Sequence, residues 1–231
     1  MKKTAYLLSR KVDQSFAQLN SVLLEQVAAE LQTSACEHFT INLFDEAVAD
    51  AARLRLQRQQ PSIDAVLFVW FENDAALAAV ELALAAHATT LSVYLLQEHT
   101  PIPAPEGQQK YNGMRTPGML QLAFLKLPER LQYDEWLSIW QDSHTQVAID
   151  MQSTLIYRQN VVQSCLSDND LGYSAIVEEA FPLEAMTSQH AFYAVQSDAQ
   201  LAARQSAMWN SSKRFIDLSD LDVLPTSEYC W

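Results

Sequence analysis

The sequence predicts an α+β protein made of two βαββαβ units whose sheets pack together as a closed or nearly closed barrel. Three observations predict it. The order strand, helix, strand, strand, helix, strand can be read twice along the 231 residues. The two readings are separated by one stretch, Thr100–Gly118, which holds four of the eight prolines and three of the four glycines. Each unit has helices for one face of its sheet only, so the other apolar face must be buried elsewhere. Packing sheet against sheet, with the remaining edges paired, does this.

The elements of the first unit follow in order. Thr4–Ser9 is a short apolar strand. Gln14–Leu31 repeats apolar residues at helical spacing through Phe16, Leu19, Leu23, Val27 and Leu31. His38–Phe44 alternates, with Phe39, Ile41 and Leu43 on one face. Ala65–Phe71 is a continuous apolar run suited to a central strand. Asn73 can cap the alanine-rich helix Asp74–Ala86, and Thr90–Leu96 is the closing strand.

The second unit repeats the order with little residue identity. Met119–Leu127 is a strand and Asp134–Asp150 a helix. Leu155–Val162 and Ser174–Phe181 are strands. Helical pieces around Met186–Val195 and Asp198–Lys213 precede a last strand near Leu221–Leu224. The tail Pro225–Trp231 ends in aromatic residues that pack either on their own domain or across a partner subunit. Proline fixes φ and removes a donor, so no helix or central strand is expected within 100–118. The division is therefore 1–99, a linker over 100–118, and 119–231.

Composition excludes several functions. Acidic residues number 28 against 15 basic ones, a net charge of −13, and no basic patch breaks it. Such a surface repels nucleic acid and anionic lipid. The four glycines form neither a dinucleotide fingerprint nor a P-loop. Cys36, Cys165 and Cys230 are odd in number and widely spaced, and the five histidines include no HxH or HExxH pair, so no disulfide framework or local metal site is expected. The first eleven residues have too short an apolar run for a signal peptide. The longest apolar stretch, Ala75–Ala88, is broken by Glu81 and falls short of the ~20 residues that span a bilayer. A soluble cytoplasmic protein is expected.

The chemistry-bearing residues cluster in the second unit. Trp136, Trp140 and His144 are spaced i, i+4, i+8 and share one helix stripe. An imidazole near neutrality can take and give a proton, and the tryptophans can wall off water; the alternative is that all three are core. On the strand IYRQNVV, Tyr157 and Gln159 face one side and Arg158 and Asn160 the other. A tyrosine can donate to a developing oxyanion and an asparagine can hold a carbonyl; the alternative is an internal hydrogen-bond network. Glu178 and Glu179 interrupt an apolar strand, so one of them points inward. A buried carboxyl with a raised pKa suits a general base; the alternative is a salt bridge to Arg158 or Arg115.

The second unit resembles the EthD family of dimeric α/β barrel proteins. The resemblance rests on RTPGMLQLAFLK (Arg115–Lys126), YDEWLSIWQDSHTQVAI (Tyr133–Ile149), QSTLIYRQNVV (Gln152–Val162), YSAIVEEAFP (Tyr173–Pro182), AMTSQHAFY (Ala185–Tyr193) and RFIDLSDLDVLPTSEY (Arg214–Tyr229). These run in order over about half the chain. The first unit lacks the W…W…H helix and looks like a diverged second copy. Gln132 stands where such helices usually begin with Ser or Thr, which weakens the cap by about 1 kcal/mol. The resemblance implies two tandem ferredoxin-like modules, a homodimer, and a small-molecule ligand in the second-unit pocket. The reading that follows is a cofactor-free enzyme acting on an apolar cyclic or carbonyl compound. Here His144 is the proton shuttle, Tyr157 and Asn160 orient the oxygen, and Trp136, Trp140 and Glu178 contact substrate. The alternative is a non-catalytic binding or structural barrel.

Overall fold

A computed structural model describes residues 1–106 and 112–231; Gly107 and the middle of the expected linker lie outside the described residues. The strands are β1 (Lys2–Ser9), β2 (His38–Leu43), β3 (Ala65–Phe71), β4 (Thr89–Ile102), β5 (Met119–Leu125), β6 (Ile156–Cys165), β7 (Ala175–Phe181) and β8 (Asp222–Cys230). The longer helices are α1 (residues 16–32), α2 (Ala75–Ala85), α3 (residues 133–151) and α4 (Asp198–Ser212).

All eight strands form one closed antiparallel barrel in the order β1-β3-β2-β8-β5-β7-β6-β4, with β4 returning to β1. Within each half the order is fourth-first-third-second. The halves join through β2–β8 and β4–β6. Closure therefore occurs within one chain and leaves no barrel edge for a partner to complete.

Strand parity divides the core into layers. Ala5, Leu7, Phe68, Leu122, Ile176 and Leu224 come from five different strands and meet in one cluster, which is the lumen. The opposite parity of β1–β3 packs under α1 and α2. The outer faces of β5, β6 and β7 pack under α3 and the segment after α4.

Several elements extend beyond what their residues suggest. β4 runs to Ile102, through Thr100 and Pro101. Its register to β6 shifts between His99 and Ile102, and that irregularity accommodates the proline. The tail is no loose end: Pro225–Cys230 belongs to β8, which lies between β2 and β5. The β2 ladder covers Ser227–Cys230 only, so at Pro225 just the β5 side is paired and the missing N–H is not demanded. Trp231 then stacks on Phe39, with ring centroids 5.1 Å apart. A 3-10 helix over Glu46–Leu54 had no clear sequence pattern; Asp45 caps it by accepting from the Ala47 N–H.

Gly118 starts β5 with φ at +96°, and a Cβ there would sit 2.4 Å from the Phe181 carbonyl oxygen. Gly118→Ala should therefore destabilise the fold by more than ~1 kcal/mol in urea unfolding, since the substitution adds both left-handed strain and a backbone clash.

Candidate active site

The site is built on α3, a helix with a wide turn at its centre. Tyr133–Ser138 and Thr145–Met151 are α-helical, and Ile139–His144 between them is π-helical. The Thr145 N–H reaches back five residues to the Trp140 carbonyl. In a regular α-helix, positions i and i+8 diverge by about 80°. The wide turn takes up that drift, so Trp136, Trp140 and His144 all stay buried against the sheet. Gln132 makes no side-chain cap at the start of α3.

Each of the three has a polar anchor. Trp136 Nε1 donates to the Phe215 carbonyl at 3.0 Å. Trp140 Nε1 donates to the Tyr157 hydroxyl at 3.2 Å. His144 Nδ1 lies 2.9 Å from Ser211 Oγ on α4. The Phe215 ring packs 4.6 Å from His144 and lies nearly parallel to Trp140, at 12°.

The floor comes from the outer face of the sheet. Register places Gln121 (β5) opposite Glu179 (β7), and Tyr157 (β6) opposite the same Glu179. These three side chains form one polar row across three strands. Above them lies a cavity of about 150 Å³, roofed by Trp140, His144, Met208, Ser212 and Phe215 and flanked by Gln152 and Val177.

The electrostatics follow from burial. Desolvation, with the nearby Arg214 charge, lowers His144 from 6.5 to about 4, so its ring is neutral at physiological pH. Burial alone raises Glu179 from 4.5 to about 7. Among the described residues no hydrogen bond or ion pair reaches its carboxyl group. Burial and the Glu179 charge push the Tyr157 phenol well above its usual value. That hydroxyl accepts from Trp140 and from Gln159 Nε2 at 3.1 Å, which leaves its own O–H to donate. Gln152 Oε1 is buried without a partner.

The expected site residues fall into two places. His144, Trp140 and Tyr157 come together around the cavity, and Trp136 backs them one turn earlier. Asn160 and Glu178 lie on the opposite face of the same strands, in the lumen. Asn160 Nδ2 donates to Glu178 Oε1 at 2.8 Å and to the Ile176 carbonyl at 2.9 Å. Glu178 is held between Lys3 (2.6 Å) and Arg158 (2.8 Å). Burial would raise its carboxyl, but these two cations outweigh that and hold it at about 2. The glutamate that meets a cavity is its neighbour, Glu179, on the helix-covered face.

Among the described residues the first half lacks this polar row. The same register positions there are Thr4, Val69 and Phe39. Phe39 and Val69, together with Trp231, fill the space under α1 with apolar side chains. Yet α1 carries its own π-helical turn, Leu23–Val27, as α3 does. The backbone device is present in both halves, and the polar row in only one.

No family model matches the chain, and no curated protein matches its sequence. Its fold does match solved structures. An anthrone oxidase-like protein superposes with a TM-score of 0.61, covering 100% of this chain and 91% of that one at 10% identity. A "Putative monooxygenase" from Fusobacterium nucleatum superposes with a TM-score of 0.51, covering 99% and 90% at 8% identity. The chain shares its fold with both of these proteins. At these identities the likeness is one of fold alone. No described helix is long and apolar enough to cross a membrane.

Proposed function

We propose that this chain is an EthD-like enzyme that moves a proton to and from the carbon next to a carbonyl group, in a small apolar cyclic compound, by acid–base chemistry without a cofactor. One observation carries the reading: an unpaired, buried carboxyl group, that of Glu179, shares an apolar cavity with a phenol free to donate and with a neutral imidazole. The ionised Glu179 takes the α-proton. The C–H electron pair moves into the new C=C bond and the carbonyl π pair moves onto oxygen. The Tyr157 O–H, and a ring N–H of His144 in the appropriate tautomer, donate to that oxygen. Return of the proton to carbon completes an exchange or an isomerisation.

A base titrating near the working pH suits this task. His144, neutral down to about pH 4, acts as a hydrogen-bond partner rather than as the base. We read each half as a ferredoxin-like module, a reading supported by the repeated strand order. A homodimer is expected from the resemblance, and light scattering tests it.

The experiment is α-proton exchange in D2O, followed by NMR on small cyclic ketones. Exchange should rise with pH through about 7, as Glu179 ionises. Glu179→Gln should abolish it, and Tyr157→Phe should slow it by roughly 10²–10³-fold, the usual loss for one oxyanion donor. Exchange that is undiminished in Glu179→Gln removes the mechanism. Ketone binding with no exchange at any pH leaves a binding protein.

A further inference from the structure

We infer that the cavity takes a neutral compound of one six-membered ring bearing a single hydroxyl on its edge: a cyclic enol, or its stable mimic, a phenol. The inference rests on the reading of this cavity as the active site, and it names the form of substrate that the cavity holds best.

Size comes first. The cavity measures about 150 Å³. A dry cavity of that volume accepts one benzene ring, whereas drug-sized ligands occupy about 300–1,000 Å³. A second fused ring exceeds that volume. Shape follows, since the nearly parallel rings of Trp140 and Phe215 both line the cavity and supply apolar contact for a planar ring.

Charge is next. No lysine or arginine is among the residues that line the cavity, and its own titratable acid is Glu179. An anionic ring compound would meet an ionising carboxylate with no cation in the lining to pair with it. The ligand is therefore neutral.

The hydrogen-bond pattern sets the functional group. The polar row Gln121–Glu179–Tyr157 lies along one side of the cavity, and the other walls are largely apolar. Tyr157 offers a donor. Glu179 and the unpartnered Gln152 Oε1 offer acceptors. One ligand oxygen that accepts from Tyr157 and donates to Glu179 or to Gln152 Oε1 uses both kinds of group; a keto oxygen accepts only. The enol is the form of a cyclic ketone that meets it, and the buried acceptors left bare by a ligand without a hydroxyl make the discrimination steep.

The test is calorimetric titration at pH 6 and pH 8 with four probes: phenol, toluene, 1-naphthol and benzoate. The expected result is saturable 1:1 binding of phenol, with toluene at least tenfold weaker and neither 1-naphthol nor benzoate binding. Ala123→Leu, which fills the cavity from the β5 side, should abolish phenol binding with the circular dichroism spectrum unchanged. Should that variant fail to fold, Tyr157→Phe serves: phenol should weaken about tenfold while toluene does not change. Toluene binding as tightly as phenol overturns the hydroxyl assignment. Equal binding of 1-naphthol overturns the size assignment, and equal binding of benzoate the charge assignment. Phenol binding with no ketone exchange upholds the ligand class and removes the catalytic reading. Ketone exchange without phenol binding does the reverse.

Discussion

Glu179→Gln should make the protein more stable than its parent at pH 8 and should lose that advantage by pH 4.5. Burial lifts the Glu179 carboxyl from 4.5 to about 7. Between those values the folded chain holds a proton that the unfolded chain has released. The stabilisation from that proton is full below about 4.5 and is gone once the pH has risen through about 7. With each pKa unit worth ~1.4 kcal/mol, the swing is about 3 kcal/mol. The glutamine variant has no such proton and escapes the loss. His144 works in the opposite sense. Its ring stays neutral in the folded chain down to about 4, while the unfolded ring protonates below 6.5, so its contribution is present above 6.5 and lost as the pH falls toward 4. The two slopes oppose each other between 4.5 and 6.5. Removing Glu179 should therefore expose the rise with pH that His144 produces. Urea unfolding at half-unit steps from pH 4 to 8 measures both. A constant difference between variant and parent across that range would show that Glu179 is solvated, and would sink its role as a buried base.

Much of this architecture was legible in the residues. β3 has the bounds read from its unbroken apolar run, and the helical spacing of Phe16 through Leu31 located α1. The need to bury two one-sided sheets pointed to a barrel, although only the register shows that one chain closes it. The failures have physical causes. Pro225 hid the second half of β8, because a proline is compatible with a ladder on one side only. The π-helical turns were not read, although the repeated i+4 spacing of Leu19, Leu23, Val27 and Leu31, and of Trp136, Trp140 and His144, is the mark that such a widened turn leaves. At the site, strand parity divided Tyr157 from Asn160 and Glu178 from Glu179, but parity does not say which face meets solvent, lumen or helix. That is decided by the whole barrel. Gln121, Gln152 and Phe215 join the cavity from separate elements, and no local pattern connects them. The salt-bridge alternative for the paired glutamates describes Glu178, and the raised-pKa alternative describes Glu179.

Arg158→Met should cost about 3–5 kcal/mol, the usual penalty for leaving a buried carboxylate without its partner. In the lumen Arg158 Nη1 bonds Glu178 at 2.8 Å and Glu228 at 2.7 Å, and Lys3 reaches Glu178 and Glu98 at 2.6 Å each. Without the guanidinium, Lys3 and the Asn160 amide remain at Glu178, and among the described residues Glu228 keeps only the Thr116 hydroxyl, at 2.7 Å, as a side-chain partner. The deficit should be largest near pH 7 and should shrink on acidification. In the parent, ionised Glu178 stabilises the fold above about 4.5, and that stability is lost as the pH falls toward 2. In the variant Glu178 loses one of the two cations that hold its carboxyl low and accepts a proton earlier, so less remains to lose. Adding Glu178→Gln and Glu228→Gln should recover part of the stability, because the stranded charges are gone. A triple variant no more stable than Arg158→Met would mean that packing of the arginine stem, and not its charge, holds the lumen together.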